Sequence, residues 1–341
     1  MNLFPERGVA YYGCYRGDQA RRDLEVMASG GLNGLLLAVS EFDLQFYHDG
    51  LREVVEAGKG LGFRVDVDLW GWGKVFGGEP PSLFLQSHSD CHQVSSQGES
   101  LPAACIQSEF RSYFLKGLEK VLDTMDVDGI FLDEPHYYYE ARSTKHEARS
   151  GWACFCERCR RLFQEEKGNP MGERITDEIV EFREEQLLLF LKEACDLVKG
   201  RGKRVTVCLV PVEGEGARHL GILHWEKVAS LPIDLLATDP YWIHFGEERE
   251  GFIAKWTQRI LELCAANQIE SQAWVQLFRV PVGREEEIRK GIQLISSLEV
   301  AGKKVESLFG WPYLAGKGTD LASENPERVW RVFTESLSSL S

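Results

Sequence analysis

The sequence predicts an α/β fold, and within that class a closed (β/α)8 barrel. Three observations carry the prediction. Eight short runs rich in Val, Ile, Leu and aromatic residues recur along the 341 residues. Amphipathic helical patterns separate them. No glycine-rich dinucleotide fingerprint follows the first run, which weakens the alternative of an open doubly wound sheet.

The eight runs are 8–14, 33–39, 63–70, 128–133, 204–209, 233–238, 272–278 and 305–310. Each reads as a parallel strand buried on both faces. Residues 18–29, 51–60, 109–124, 176–199, 252–267 and 285–300 repeat apolar side chains at three- and four-residue spacing and predict helices, with 217–229 a weaker example. A helix over 326–337 closes the chain, with Asn325 as its N-cap and Pro326 at its first position. Glycine-bearing turns at 56–60 and 199–202 supply helix stops. One barrel domain over 1–341 is expected. The connections 71–108 and 134–175 are insertions after strands three and four, on the C-terminal face where barrels build active sites.

Acidic residues number 53 against 39 basic ones, for a net charge of −14. Such a surface repels phosphate backbones, so nucleic acid is not an expected partner. No apolar run reaches the roughly 20 residues of a membrane span. The N-terminal segment does not read as a secretory signal, and a cytoplasmic location is expected. Nine cysteines, several alone in apolar stretches (Cys14, Cys195, Cys208, Cys264), do not form a disulfide framework. Nine Trp and ten Tyr mostly fill a core, but they also suit a sugar partner, whose apolar C–H faces stack on rings.

The run 128–136, Asp-Gly-Ile-Phe-Leu-Asp-Glu-Pro-His, is the most informative. A buried strand ends abruptly in Asp133 and Glu134, and Pro135 stops regular pairing. Acids at this end of a barrel strand point into the mouth. Burial there raises the pKa of one of them, as a general acid at neutral pH requires. Downstream, Cys154-Phe-Cys156-Glu-Arg-Cys159 has the tight spacing of thiolates sharing a tetrahedral zinc. Cys105, ahead of the helix leading into strand four, is the best fourth ligand; Cys91 and His92 are the substitutes. Four protein ligands would leave the metal structural.

These two motifs together, over residues 102–163, resemble glycoside-hydrolase barrels related to the family 42 β-galactosidases. The resemblance implies that Glu134 is the acid/base and that Cys105, Cys154, Cys156 and Cys159 hold a structural zinc. It implies a carbohydrate substrate and no organic cofactor. Related barrels often form dimers or trimers, which leaves a homo-oligomer open. Two departures stand out. Asp133 replaces the Asn that precedes the acid/base in those enzymes, and Gln276 stands on strand seven where they place a nucleophilic Glu.

Other mouth candidates follow the same strand-end logic. Asp239, after strand six, repeats the strand–acid–proline pattern and is followed by Tyr241 and Trp242. A second carboxylate there would serve as nucleophile, base or hydroxyl acceptor. Trp274 and Gln276 on strand seven and Trp311 on strand eight are expected to bind sugar. Asp68, Trp70 and Glu79 come from the strand-three loop, whose Gly77 and Gly78 would let backbone approach a ligand. His136 would bind a hydroxyl or orient Glu134. Tyr12 and Glu41 reach the mouth from strands one and two.

Glycosidic hydrolysis is the leading expectation. Either Asp239 is the nucleophile or base, or Asp133 orients a 2-acetamido group of the substrate, as in the hexosaminidases that adjacent strand-four acids resemble. A carbohydrate-binding barrel without catalysis is the first rival, and Gln276 is the feature in its favour. A metal-dependent hydrolase using Asp133, His136 and another histidine ranks last, because His88, His92 and His244 lack paired spacing.

Overall fold

The computed structural model of the chain describes residues 4–139 and 151–339, so part of the 134–175 connection, residues 140–150, lies outside the described residues. Eight strands close a parallel barrel: β1 (Glu6–Tyr11), β2 (Gly34–Ala38), β3 (Arg64–Asp68), β6 (Gly129–Leu132), β7 (Arg204–Leu209), β8 (Leu235–Thr238), β9 (Glu270–Gln276) and β10 (Ser307–Trp311). The remaining two, β4 (His92–Val94) and β5 (Ser100–Ala104), pair antiparallel in the connection after β3. All eight predicted strand runs are present, in chain order around the barrel.

Helices α1 (Gly17–Ser29), α3 (His48–Gly60), α5 (Phe110–Thr124), α7 (Asp177–Gly200), α11 (Arg249–Asn267), α12 (Glu286–Ser297) and α13 (Pro326–Ser339) cover the barrel, each burying its apolar stripe. Asn325 caps α13 through Oδ1, which accepts from Arg328 N at 3.2 Å. The weak pattern at 217–229 is not one helix. It divides into α8 (Glu215–Leu220) and α9 (Trp225–Ala229), because Gly221 adopts a left-handed backbone (φ 95°) that ends the first. Short elements unmarked by periodicity are α2 (Glu41–Phe46), α4 (Leu83–Ser87), α6 (Glu157–Lys167) and α10 (Trp242–Phe245).

The barrel interior is layered. At the N-terminal end Arg204 meets Glu6 at 2.9 Å and Asp66 at 2.5 Å, a buried charge cluster that plugs the bottom. Above it Phe131, Trp274 and Phe309 pack with Leu36, Ala10 and Cys208. Gly8 and Gly34 make room for Phe309, since a β-carbon at either would fall 2.2 or 2.7 Å from its ring. At the C-terminal end, in the same interior column as Asp66, comes Asp68, and around it the loops of the mouth.

The two long connections are laced together there. Phe155 N donates to Val94 O at 2.7 Å and Ser96 N to Trp152 O at 2.8 Å. Gln93 donates to Ala104 O and accepts from Tyr138 N, both at 3.0 Å. Glu41 does not reach the mouth as expected. Its carboxylate is buried and accepts from Gly73 N (2.8 Å), Ser82 Oγ (2.7 Å), Phe84 N (2.7 Å) and Tyr113 Oη (3.3 Å), which pins the first connection to the barrel. Among the described residues no helix is long and apolar enough to cross a membrane.

Candidate active site

A cavity of about 310 Å3 opens at the C-terminal end of the barrel. Asp133, Glu134, Asp239 and Glu79 line it together with Trp70, Trp274, Trp311, Tyr241 and His136. Most of the predicted site residues therefore converge on one hollow, although they come from the ends of five strands. Asp68 lies just beneath, fully buried, with no hydrogen-bond partner for either carboxylate oxygen.

The carboxylates shape the electrostatics. Glu134 and Asp239 lie close enough to perturb one another's titration, and Asp239 Oδ1 is buried without a hydrogen-bond partner. Burial, then the charges of Glu134 and Asp133, push Asp239 far above the ordinary carboxylate range. Burial also raises Glu134. Asp133 is pushed up by burial and by Asp68, Glu134 and Glu79; Asp68 is pushed up by burial and by Glu134 and Glu79. Burial holds His136 neutral, and its Nδ1 faces Glu134 O at 2.5 Å.

The backbone that holds these groups is unusual. Glu134 has φ 41°, in the left-handed region that non-glycine residues avoid, and its N donates to Cys208 O at 3.1 Å. Gly77 N donates to Asp133 O at 2.9 Å, and a β-carbon on Gly77 would fall 2.5 Å from Asp133 Oδ2 and 2.9 Å from Glu134 Oε2. A β-carbon on Gly78 would strike the Trp70 indole at 2.1 Å. The glycines thus let backbone approach the two acids and Trp70, and Gly78 also lines the cavity.

Two expected sugar-binding residues lie elsewhere. Trp242 does not line the cavity. It starts α10, is 1% exposed, donates from Nε1 to Glu287 Oε2 at 2.9 Å and packs near Gly291 of α12. Gln276 is also fully buried. Its Oε1 accepts from His244 N at 3.0 Å and its Nε2 donates to Phe278 O at 2.8 Å, so both ends of the amide are occupied inside the protein. It holds α10 against the end of β9. Sequence reasoning did not single out Arg279, which also lines the cavity, in a left-handed backbone (φ 48°). Nothing in composition or spacing marks it.

The four cysteines do come together. Cys105 Sγ lies 3.6 Å from both Cys156 Sγ and Cys159 Sγ, and the four sulfurs are all within 4.8 Å of one another. A disulfide requires about 2.05 Å, whereas sulfurs around a tetrahedral ion at about 2.3 Å stand about 3.8 Å apart. The group fits a metal ion. Cys91 is not part of it, and the His92 ring nitrogens face Leu101 O and Leu85 O. Among the described residues this is the only set of three or more acidic, histidine or cysteine donors gathered so closely. The Arg183 guanidinium is buried beside it, over the Tyr137 ring at 4.5 Å, and its hydrogen bonds go to Arg218 O and His219 O without a carboxylate partner. Its charge is balanced if the sulfurs are anionic.

No protein-family model matches the chain, and no curated protein matches it in sequence. Solved structures share its shape. An endo-β-1,4-mannanase from Thermotoga petrophila superposes with TM-score 0.57 at 13% identity, over 99% of this chain and 77% of that one. An α-L-fucosidase isoenzyme 2 from Paenibacillus thiaminolyticus gives 0.58 at 14%, over 97% of this chain and 49% of that one. A D-psicose 3-epimerase gives 0.50 at 10%, over 98% and 97%. At such identities the likeness establishes the fold alone: the chain is a (β/α)8 barrel.

Proposed function

We propose that the protein hydrolyses a glycosidic bond in the cavity at the C-terminal end of the barrel. One observation carries this reading: the carboxyls of Asp133, Glu134 and Asp239 converge in a hollow walled by three indoles. Burial raises all three above the ordinary carboxylate range, which keeps a proton available for a leaving oxygen at neutral pH. Glu134 gives its proton to the leaving oxygen as the bond to the anomeric carbon breaks, and water or a group of the substrate bonds to that carbon. Asp133 faces the same cavity and meets the positive charge that develops at the anomeric carbon. The sugar lies against Trp70, Trp274 and Trp311. That a mannanase and a fucosidase share the fold agrees with a carbohydrate substrate.

The separation of the acting carboxyls would decide the stereochemical course, since a retaining pair stands about 5–5.5 Å apart and an inverting pair about 6.5–9.5 Å. The adjacent acids Asp133 and Glu134 at the end of one strand support a second version, in which the 2-acetamido oxygen of the substrate attacks and Asp133 orients it. A zinc ion on Cys105, Cys154, Cys156 and Cys159 braces the loop that follows Glu134 and takes no part in the chemistry. A cytoplasmic location and a single barrel domain complete the reading.

A panel of chromogenic glycosides, with and without 2-acetamido groups, tests it. Turnover that disappears in Glu134→Gln is the expected result. Binding of sugar without turnover by the native protein would instead make the barrel a receptor.

A further inference from the structure

A second cavity, of about 470 Å3, lies beside the first on the same face, between the loops that follow β1 and β10. Both volumes fall in the range of small-ligand pockets, about 300–1,000 Å3. Tyr12 lines the second cavity and stacks at 4.8 Å on Trp70 and at 6.0 Å on Trp311, which line the first. At its far side Tyr15 stacks on Tyr47 at 4.0 Å. Beyond Tyr47 come Phe42 at 5.9 Å and then Phe46, 4.7 Å further on. Tyr12 thus joins the two cavities, and from the second cavity a further aromatic group, Tyr15, Tyr47, Phe42 and Phe46, leads to α2.

The outer end of this row is exposed. Phe42, Phe46 and Tyr47 are 44, 58 and 40% exposed. The other large apolar side chains exposed among the described residues are Val26, Leu189 and Val282, all aliphatic. The exposed aromatics therefore occur in one place, and that place continues the candidate site. The fold does not require them: Ser40 and Asp43 supply the capping box of α2, and Leu44 its buried contact. Aromatic rings together with polar lining groups such as Gln19 suit the alternating apolar faces and hydroxyl edges of a sugar chain. The acidic surface and the four carboxyl groups at the mouth disfavour an anionic chain.

We propose that the ligand is an uncharged polysaccharide. One of its sugars sits in the mouth, and the chain continues over Tyr12 through the second cavity onto the Tyr47–Phe42–Phe46 platform. This rests on the glycosidase reading for the site of cleavage, but its test reads binding alone. Native gels cast with galactomannan, xylan, mixed-linkage β-glucan, arabinogalactan or the 2-acetamido polymer glycol chitin would be run with the native protein and with Glu134→Gln. Retardation of both by at least one polysaccharide is expected. Phe42→Ser/Phe46→Ser should weaken it about tenfold or more, with the melting temperature unchanged, while Val26→Ser on α1 should not weaken it. No retardation by any of the five polymers, or equal retardation of the double variant, overturns the proposal. Platform-dependent retardation without turnover of any glycoside would defeat the glycosidase reading and leave the track standing. Turnover of short glycosides without retardation would do the reverse.

Discussion

Glu134 and Asp239, from the ends of the fourth and sixth barrel strands, line the same cavity, and each perturbs the titration of the other. If the two carboxyls act as one titrating unit, their losses should not add. Glu134→Gln and Asp239→Asn should each lower kcat by about 10²–10⁴-fold, and the double variant should be no worse than the poorer single. Steady-state kinetics on the best chromogenic glycoside would show it. Independent, multiplying losses would mean that the two side chains do separate jobs.

The same pair sets a pH profile. Both carboxyls titrate above their ordinary range, chiefly through burial. Activity requires one proton between them. It should fall at low pH, where a second proton binds, and at high pH, where the last one leaves. In the residual kcat/KM of Asp239→Asn the alkaline limb should move to lower pH, because Glu134 alone then holds the proton and no second charge opposes its loss. A wild-type profile flat from pH 4 to 9 would remove the proton transfer from the mechanism.

Asp68 predicts a stability effect of opposite sign to most buried substitutions. Its folded pKa is raised by burial, then by Glu134 and Glu79, and neither oxygen has a partner. The native state therefore binds this proton more tightly than the unfolded chain does. The stability it contributes is present below the ordinary Asp range and is lost as pH rises through the raised value. Asp68→Asn should be close to neutral at pH 4 and stabilising at pH 7, by about 1–3 kcal/mol. Urea melts at the two pH values would measure this. A variant that is less stable at pH 7 than the native protein would show that Asp68 is paired in solution.

The four sulfurs predict one tightly held zinc per chain. Cys156→Ser should lose it by elemental analysis and lower the melting temperature by roughly 5–15 °C. Asp133→Asn should retain the metal, because the mouth carboxylates are not among the close donors. Activity should fall in Cys156→Ser only as far as the loop after Glu134 loosens. A native protein free of zinc at full thermal stability would remove the metal from the account.

The barrel was legible because its periodicity is strong: buried strands such as Gly129–Leu132 alternate with striped helices such as Glu286–Ser297. The convergence of Asp133, Glu134, Asp239 and the indoles was legible too, since strand ends on one face of a closed barrel must meet. Direction within a turn was not. Tyr241 and Trp242 are neighbours, yet the first faces the cavity and the second the helical layer, because the chain turns into α10 between them. Nor could spacing show that Glu41 anchors a loop, since its four donors lie 32 to 72 residues away. The hairpin of β4 and β5 escaped for the same reason: its support comes from a connection distant in sequence.

Gly77 offers a local test of the geometry. A methyl group there would meet both Asp133 Oδ2 and Glu134 Oε2. Its backbone is free of the left-handed φ that would itself penalise alanine. Gly77→Ala should therefore fold, and displace the acids by a fraction of an ångström. A fall in kcat of about 10–100-fold with little change in melting temperature is expected. Unchanged kcat would mean that the acids need not hold this position.

Gln276 offers a test between an enzyme and a receptor. If it were the remnant of a lost nucleophile, Gln276→Glu should restore or raise activity. Its amide instead accepts from His244 N and donates to Phe278 O, with no exposure to the cavity. A glutamate there keeps the acceptor, loses the donor and buries a charge beside a backbone carbonyl. Gln276→Glu should gain no turnover and lose about 2–4 kcal/mol of stability at pH 7. The loss should shrink toward pH 4, where the introduced carboxyl is neutral and can donate to Phe278 O. Chemical melts at both pH values and an assay on the glycoside panel measure the two effects together. Gained turnover would return position 276 to the reacting centre and turn the present protein into an inactivated enzyme. Lost stability without gained turnover leaves the chemistry with Asp133, Glu134 and Asp239.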